Sequence, residues 1–317
     1  MGRPVRLAIV QCAFLCLLLA PAIGAAQTEV EPNDSKATAN PITLPAADAA
    51  GVIVGNSVAG TGAGLDYFRV TVPARATPGF YRHRLIATSA TVGHVLTLRG
   101  LNQVAGVPGS TDSSLQTSST VTTPARFVQW YTSEASGDIY VRVAGVAATT
   151  SDYSLDYEVQ PVTELAGPSL PQATATITTV GQSAPQTDTD LWVYDASRQP
   201  IPTFGNDDEF GTTSLGSALT RDYAGGVYYL ALSNFNIANN QASPADDDFR
   251  TGVVMDFPGV IANSSTTVNL NLASLIGGIA QPATKAGPYD VVFIRFDRVV
   301  VDALFQDGFE EPIVPPQ

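Results

Sequence analysis

Asp152-Tyr153-Ser154-Leu155-Asp156-Tyr157-Glu158-Val159 decides the fold class. Tyr153, Leu155, Tyr157 and Val159 fall on one side of an extended chain, and Asp152, Ser154, Asp156 and Glu158 on the other. That period of two is the mark of a β-strand with one face in a core and one in water. The same alternation runs outward from it. Ile139, Val141 and Val143 alternate with Tyr140 and Arg142. Phe68, Val70 and Val72 alternate with Tyr67, Arg69 and Thr71. Arg82–Thr88, Val95–Leu101 and Phe127–Thr132 add further strands, separated by Gly, Ser, Thr and Pro clusters such as residues 107–123, which read as loop.

Pro161, Gly167, Pro168 and Pro171 crowd residues 160–171, and a linker is expected there. A second strand set follows at 173–180, 191–194, 227–232, 252–255, 266–272 and 289–296. No long period-3.6 pattern occurs after residue 26. The expectation is an all-β chain of two jelly-roll-like antiparallel β-sandwiches, at 27–160 and 161–306, with a tail at 307–317.

The first 26 residues read as a signal peptide. Arg3 and Arg6 precede an apolar run from Leu7 to Leu19, then Pro21 and the small residues Gly24, Ala25 and Ala26. The run falls short of the ~20 apolar residues of a spanning helix. Cys12 and Cys16 both lie inside it, so an exported chain has no disulfide, thiolate metal site or cysteine nucleophile. The expected location is secreted or cell-surface.

The net charge is −13, and loss of Arg3 and Arg6 makes it −15. Lys36 and Lys285 are the only lysines. Such a chain is a poor partner for nucleic acid, which needs a basic patch. It suits a cation-binding surface, or simply a soluble one.

Three segments concentrate chemistry. Glu29, Glu31, Asn33 and Asp34 place four oxygen-bearing side chains within six residues around Pro32. Calcium takes six to eight hard oxygen ligands, at about 2.3–2.6 Å. Glu29 and Glu31 point the same way on an extended segment. An exposed Asx turn at Asn33 and Asp34 is the competing reading. Further on, Asp188 and Asp190 are two apart on a strand, and Asn206, Asp207 and Asp208 follow downstream as a second possible cation cluster. Asp246-Asp247-Asp248 reads as a solvated loop. None of these has the spacing of an EF-hand loop.

Glu31-Pro32-Asn33-Asp34, then Asn40-Pro41-Ile42, Gly51-Val52-Ile53 and Asp66-Tyr67-Phe68-Arg69-Val70 together resemble the bacterial pre-peptidase C-terminal domain. Gly137 to Val143 and Tyr153-Ser154-Leu155 are similar to its closing strands, and the resemblance covers about residues 28–160. It implies a jelly-roll-like sandwich of the kind that accompanies exported proteases. It also implies calcium ligands at Glu29, Glu31, Asn33 and Asp34, because similar domains of clostridial collagenases bind calcium and collagen. The family's Asp-x-Asp before Tyr-Phe is here Gly64 and Asp66, which leaves Asp66 as the one acid of that pair. Asp188 to Asp195, with Gly225 to Leu230, resembles a divergent second copy. Phe305-Gln306-Asp307-Gly308-Phe309-Glu310 resembles a tail found on exported proteins of certain proteobacteria.

Catalytic signatures are missing from the sequence. His83 and His94 are the only histidines, and neither a His-Glu-x-x-His nor a Gly-x-Ser-x-Gly motif occurs. His83 reads as a packed surface residue on a strand. Trp130, Tyr131, Trp192, Tyr228 and Tyr229 could form a sugar or collagen platform, or fill a core. The expected function is an exported non-catalytic binding or adhesion protein with calcium-stabilised modules, its ligand a protein fibre or glycan. The alternative is an accessory module for secretion, folding or surface retention of a separate exported enzyme. A carboxylate pair for a divergent hydrolase is the third reading.

Overall fold

The computed structural model describes residues 26–56, 64–88, 94–99, 103–104, 107–108, 114–117, 126–134, 137–145, 152–171, 173–182, 188–206, 215–234, 267–274, 277–284 and 290–299. The expected signal peptide, the acidic run at 246–248, the strand at 252–255 and the tail fall outside them.

The chain is all-β among the described residues, apart from one 3-10 turn at Lys36–Thr38. No helix among them is long and apolar enough to cross a membrane. The first half contains β1 (Gln27–Thr28), β2 (Asn40–Thr43), β3 (Ala49–Asn56), β4 (Leu65–Val72), β5 (Tyr81–Ala87) and β6 (Val95–Arg99). It continues with β7 (Gln103–Val104), β8 (Val107–Pro108), β9 (Ser114–Thr117), β10 (Phe127–Thr132), β11 (Gly137–Ala144) and β12 (Asp152–Pro161). Two five-stranded sheets result, ordered β1-β3-β12-β5-β10 and β2-β4-β11-β6-β9. β7 and β8 pair with each other.

The decisive stretch is indeed a central strand, β12, between β3 and β5. Its Tyr153, Leu155 and Tyr157 enter one core with Phe68, Val70 and Val72 of β4 and Ile139, Val141 and Val143 of β11. The two sheets therefore pack face to face over alternating side chains.

The second half contains β13 (Leu165–Pro171), β14 (Ala173–Thr178), β15 (Thr189–Tyr194), β16 (Pro200–Asn206), β17 (Ala218–Tyr223), β18 (Gly226–Asn234), β19 (Thr267–Ser274), β20 (Gly277–Thr284) and β21 (Val292–Val299). Its sheets are ordered β13-β21-β18-β15-β16 and β17-β14-β19-β20. Leu191, Val193, Leu230, Leu232 and Ile294 of the first meet Ile177 and Leu219 of the second in a separate core.

Three expectations need correction. The sheets are not purely antiparallel: β1 pairs with β3, β2 with β4 and β13 with β21 in parallel. In the first half the cause is connectivity, because β1 to β4 alternate between the two sheets and so meet their partners only after a crossover. The segment read as a linker is mostly strand, with only residues 162–164 between β12 and β13. Its prolines are tolerated because β13 is an edge strand, Pro168 sits at an irregularity between Ala166 and Ser169, and Pro161 and Pro171 end their strands. Residues 107–123, read as loop, include β8 and β9.

Candidate metal centre

The N-terminal acids gather at one end of the first sandwich. The backbone N–H of Glu29 donates to the Val54 carbonyl at 2.9 Å and carries the β1–β3 pairing one residue onward. Asn40 fastens the segment that follows. Its Oδ1 accepts from the Val30 N–H at 2.8 Å and from Asn33 Nδ2 at 3.1 Å, and its Nδ2 donates to the Val30 carbonyl at 2.9 Å. The Tyr67 N–H donates to the Asn33 carbonyl at 2.9 Å, which docks the loop against β4 beside Asp66. Asp66 itself lies in line with Phe68, Val70 and Val72, at the rim of the core face, and is 1% exposed.

One carboxylate oxygen from each of Glu29, Glu31 and Asp66 lies within 4.8 Å of the others. It is the one group of three such side chains among the described residues. Glu29 Oε2 accepts from the Asn56 N–H at 2.7 Å and the Tyr153 hydroxyl at 3.4 Å. Glu31 Oε2 accepts from the Asn33 N–H at 3.0 Å. Gly55 makes this approach possible, because a Cβ there would overlap the Glu29 carboxylate and the Tyr153 ring and hydroxyl. Tyr153 is the cross-strand partner of Gly55 and covers it.

Asp66 is met by charges of its own sign. Burial pushes its carboxyl up to about 7, with Glu29 and Glu31 adding to the rise and the nearby Tyr153 hydroxyl opposing it. Tyr153 gives its hydrogen bond to Glu29, and both Asp66 oxygens are buried without a hydrogen bond of regular geometry. Burial, then the Glu31 carboxyl, also holds Glu29 above the usual range against the Asn56 N–H. The Tyr153 hydroxyl is pushed up, first by burial and then by the charges of Asp66 and Glu29. Asn33 is fully buried, and its Oδ1 likewise has no donor.

A divalent cation fits this donor set. Three carboxylates within 4.8 Å of one another are hard oxygen ligands, and both Asp66 oxygens lack a hydrogen bond of regular geometry. When bound, the ion would supply positive charge, hold Glu29 and Glu31 against β4 and so fasten the N-terminal segment to the sandwich. Glu29, Glu31 and Asp66 are thus brought together, with Asn33 docked alongside. Asp34 is half-buried and outside the group of three. Tyr153, Gly55, Asn56 and Asn40 complete the site and were not evident as site residues. The alternation placed Tyr153 on a core face, and its hydroxyl reaches the acids only because that face ends at the rim.

The second acidic set is different. Asp190 and Asn206 are buried on β15 and β16, and Asn206 Oδ1 accepts from the Ala218 N–H at 2.7 Å. Asp188 precedes β15 and is half-buried. Asp188 and Asp190 join no group of three potential ligands among the described residues. Asp207 and Asp208 lie outside those residues.

His83 is not a surface residue. It is fully buried, with Nδ1 2.7 Å from the Tyr157 hydroxyl and Nε2 2.8 Å from Thr132 Oγ1, stacked on Trp130 and Tyr157. Burial, reinforced by Arg75, lowers its pKa to about 3. Period two predicts a shared face here but not its side, because His83 answers its polar atoms inside the core. No protein-family model and no curated protein matches the chain.

Proposed function

We propose that this chain is an exported, non-catalytic β-sandwich protein whose N-terminal segment is fastened by a calcium ion at Glu29, Glu31, Asp66 and Asn33. The observation that carries the proposal is Asp66, a buried carboxylate with no regular hydrogen bond, facing two other acids. A structural buried acid is ordinarily paired or hydrogen-bonded. The resemblance to pre-peptidase C-terminal domains implies the same ion. Calcium is abundant outside cells, which suits the export signal read at residues 1–26.

The partner is best sought among exported proteins. Trp130, Tyr131, Trp192 and Tyr229 are buried, and Tyr228 is half-buried against Tyr223 and Phe296, so these residues offer no open aromatic platform to a glycan or fibre. Large apolar side chains exposed among the described residues are the scattered Val30, Leu215 and Val299. This favours an accessory module for the secretion, folding or surface retention of a separate exported enzyme over adhesion through an aromatic face.

Calorimetric titration of calcium into the chain beginning at Gln27, at pH 7.5, tests the ion. Saturable binding that disappears in Glu31→Gln, Asp66→Asn is expected. Absence of binding to the parent would remove the calcium reading.

A further inference from the structure

The aromatic residues of the second sandwich form an interaction surface after all, and its partner is the first sandwich. Trp192, Tyr194, Tyr229, Ala231, Val291 and Phe293 make a third buried cluster with Phe80 and Tyr131. Phe80 lies just before β5 and is fully buried. Its ring stacks on Phe293 at 3.9 Å and meets Tyr194 and Tyr229 edge-on at 5.3 and 5.6 Å. β15 is consequently buried on both faces over its whole length.

Polar locks flank the aromatic contact. Asp290 Oδ1, before β21, accepts from Gln129 Nε2 at 2.9 Å, from the Tyr131 hydroxyl at 3.3 Å and from Arg82 at 3.3 Å. The Val291 N–H donates to the Tyr131 hydroxyl at 3.0 Å. On another side Arg198, in the left-handed region at φ 56°, lies over Tyr229 and Phe80. It pairs with Glu164 at 3.0 Å and with Glu134 of the first sandwich at 3.8 Å. The Val162 N–H donates to the Phe80 carbonyl at 2.8 Å, so the short connection is itself held in the interface.

We infer that the two sandwiches are one cooperative folding unit, joined by the Phe80 cluster and Asp290 rather than strung on a tether. Buried aromatic packing and a donor-filled carboxylate are the contacts of a core, and both halves lose them if either unfolds. Resting on the proposed calcium reading, an ion bound in the first sandwich then stabilises the second as well.

The two tryptophans allow the first core and the shared cluster to be followed separately in the full chain. Trp192→Phe leaves Trp130 in the first core, and Trp130→Phe leaves Trp192 on the second sandwich. Thermal melts of the two variants, each beside its own far-ultraviolet dichroism melt, should coincide across probes. Calorimetry of the unaltered chain should show one peak with equal calorimetric and van't Hoff enthalpies, and serves if either variant folds poorly. Phe80→Ala, Asp290→Ala should split the melt into two. Two transitions in the unaltered chain would overturn the inference, and a single unsplit transition in the double variant would remove these residues as its cause. Coincident melts that calcium does not move would leave the coupling standing and sink the calcium reading alone.

Discussion

Two buried aspartates in this molecule have opposite surroundings. Asp290 is 7% exposed and is met by the amide of Gln129, the hydroxyl of Tyr131 and the guanidinium of Arg82. Asp66 is 1% exposed and is met by Glu29 and Glu31. A carboxylate surrounded by donors is satisfied by the protein and holds structure together. A carboxylate surrounded by carboxylates is satisfied only by a proton or a cation. The difference separates a structural acid from a ligand, although both are buried.

The comparison breaks most visibly at Asp290. Asp290→Ala should cost about 3 kcal/mol in denaturant unfolding, because it removes the acceptor shared by Gln129, the Tyr131 hydroxyl and Arg82 at a buried interface. A loss under 1 kcal/mol would mean that water reaches the lock. Gly55→Ala should cost about 2 kcal/mol by overpacking, since its Cβ competes with Glu29 and Tyr153. It should also weaken calcium binding, read by titration calorimetry. Unchanged affinity would place the ion away from Glu29.

Asp66→Asn should behave in the reverse sense to Asp290→Ala. With chelator present at pH 8 it should stabilise the fold by about 1 kcal/mol or more, because the charge it removes is buried beside Glu29 and Glu31, with the Tyr153 hydroxyl alone opposing them and no hydrogen bond of regular geometry. It should at the same time abolish the response to calcium. Destabilisation under chelator would show that Asp66 has a partner in the folded protein.

The same contrast shows in the pH profile. Asp66 has a folded value of about 7 against 3.8 for its ordinary carboxyl, so the folded chain holds a proton that the unfolded chain releases between those values. The metal-free protein therefore loses this contribution as pH rises from about 4 through 7, and the loss levels off above that. His83 acts oppositely. With a folded value of about 3 against 6.5, it costs stability as pH falls from 6.5 towards 3. Melts at pH 5.5 and 8, with and without Asp66→Asn, isolate the first trend. A parent and variant with parallel profiles would contradict it.

How far the sequence discloses this depends on range. Alternation over Tyr153 to Val159 and Phe68 to Val72 is local, and it identified β12 and β4 and their core faces. The burial of Asp66 lay one step beyond that reading, where β4 continues the Phe68 register into the rim of the core. Partner choice is not local. Nothing near Asp66 indicates that Glu29 arrives from β1 across β3, or that Tyr153 from β12 closes over Gly55. The parallel edges were hidden for the same reason. Proline and glycine misled at residues 160–171, where an edge strand accommodates them. The tryptophans and tyrosines were legible as large apolar anchors, but whether they face a ligand or another part of the chain depends on Phe80, some hundred residues from Trp192.

Thermal unfolding at pH 8 with excess chelator, and again with millimolar calcium, decides whether Asp66 holds an ion. An ion at a hundred times its dissociation constant adds about 2.7 kcal/mol to the folded state. A rise in melting temperature of about 5 °C or more is expected in the parent. None is expected in Asp66→Asn. Equal melting temperatures for the parent with and without calcium would contradict an ion at Asp66.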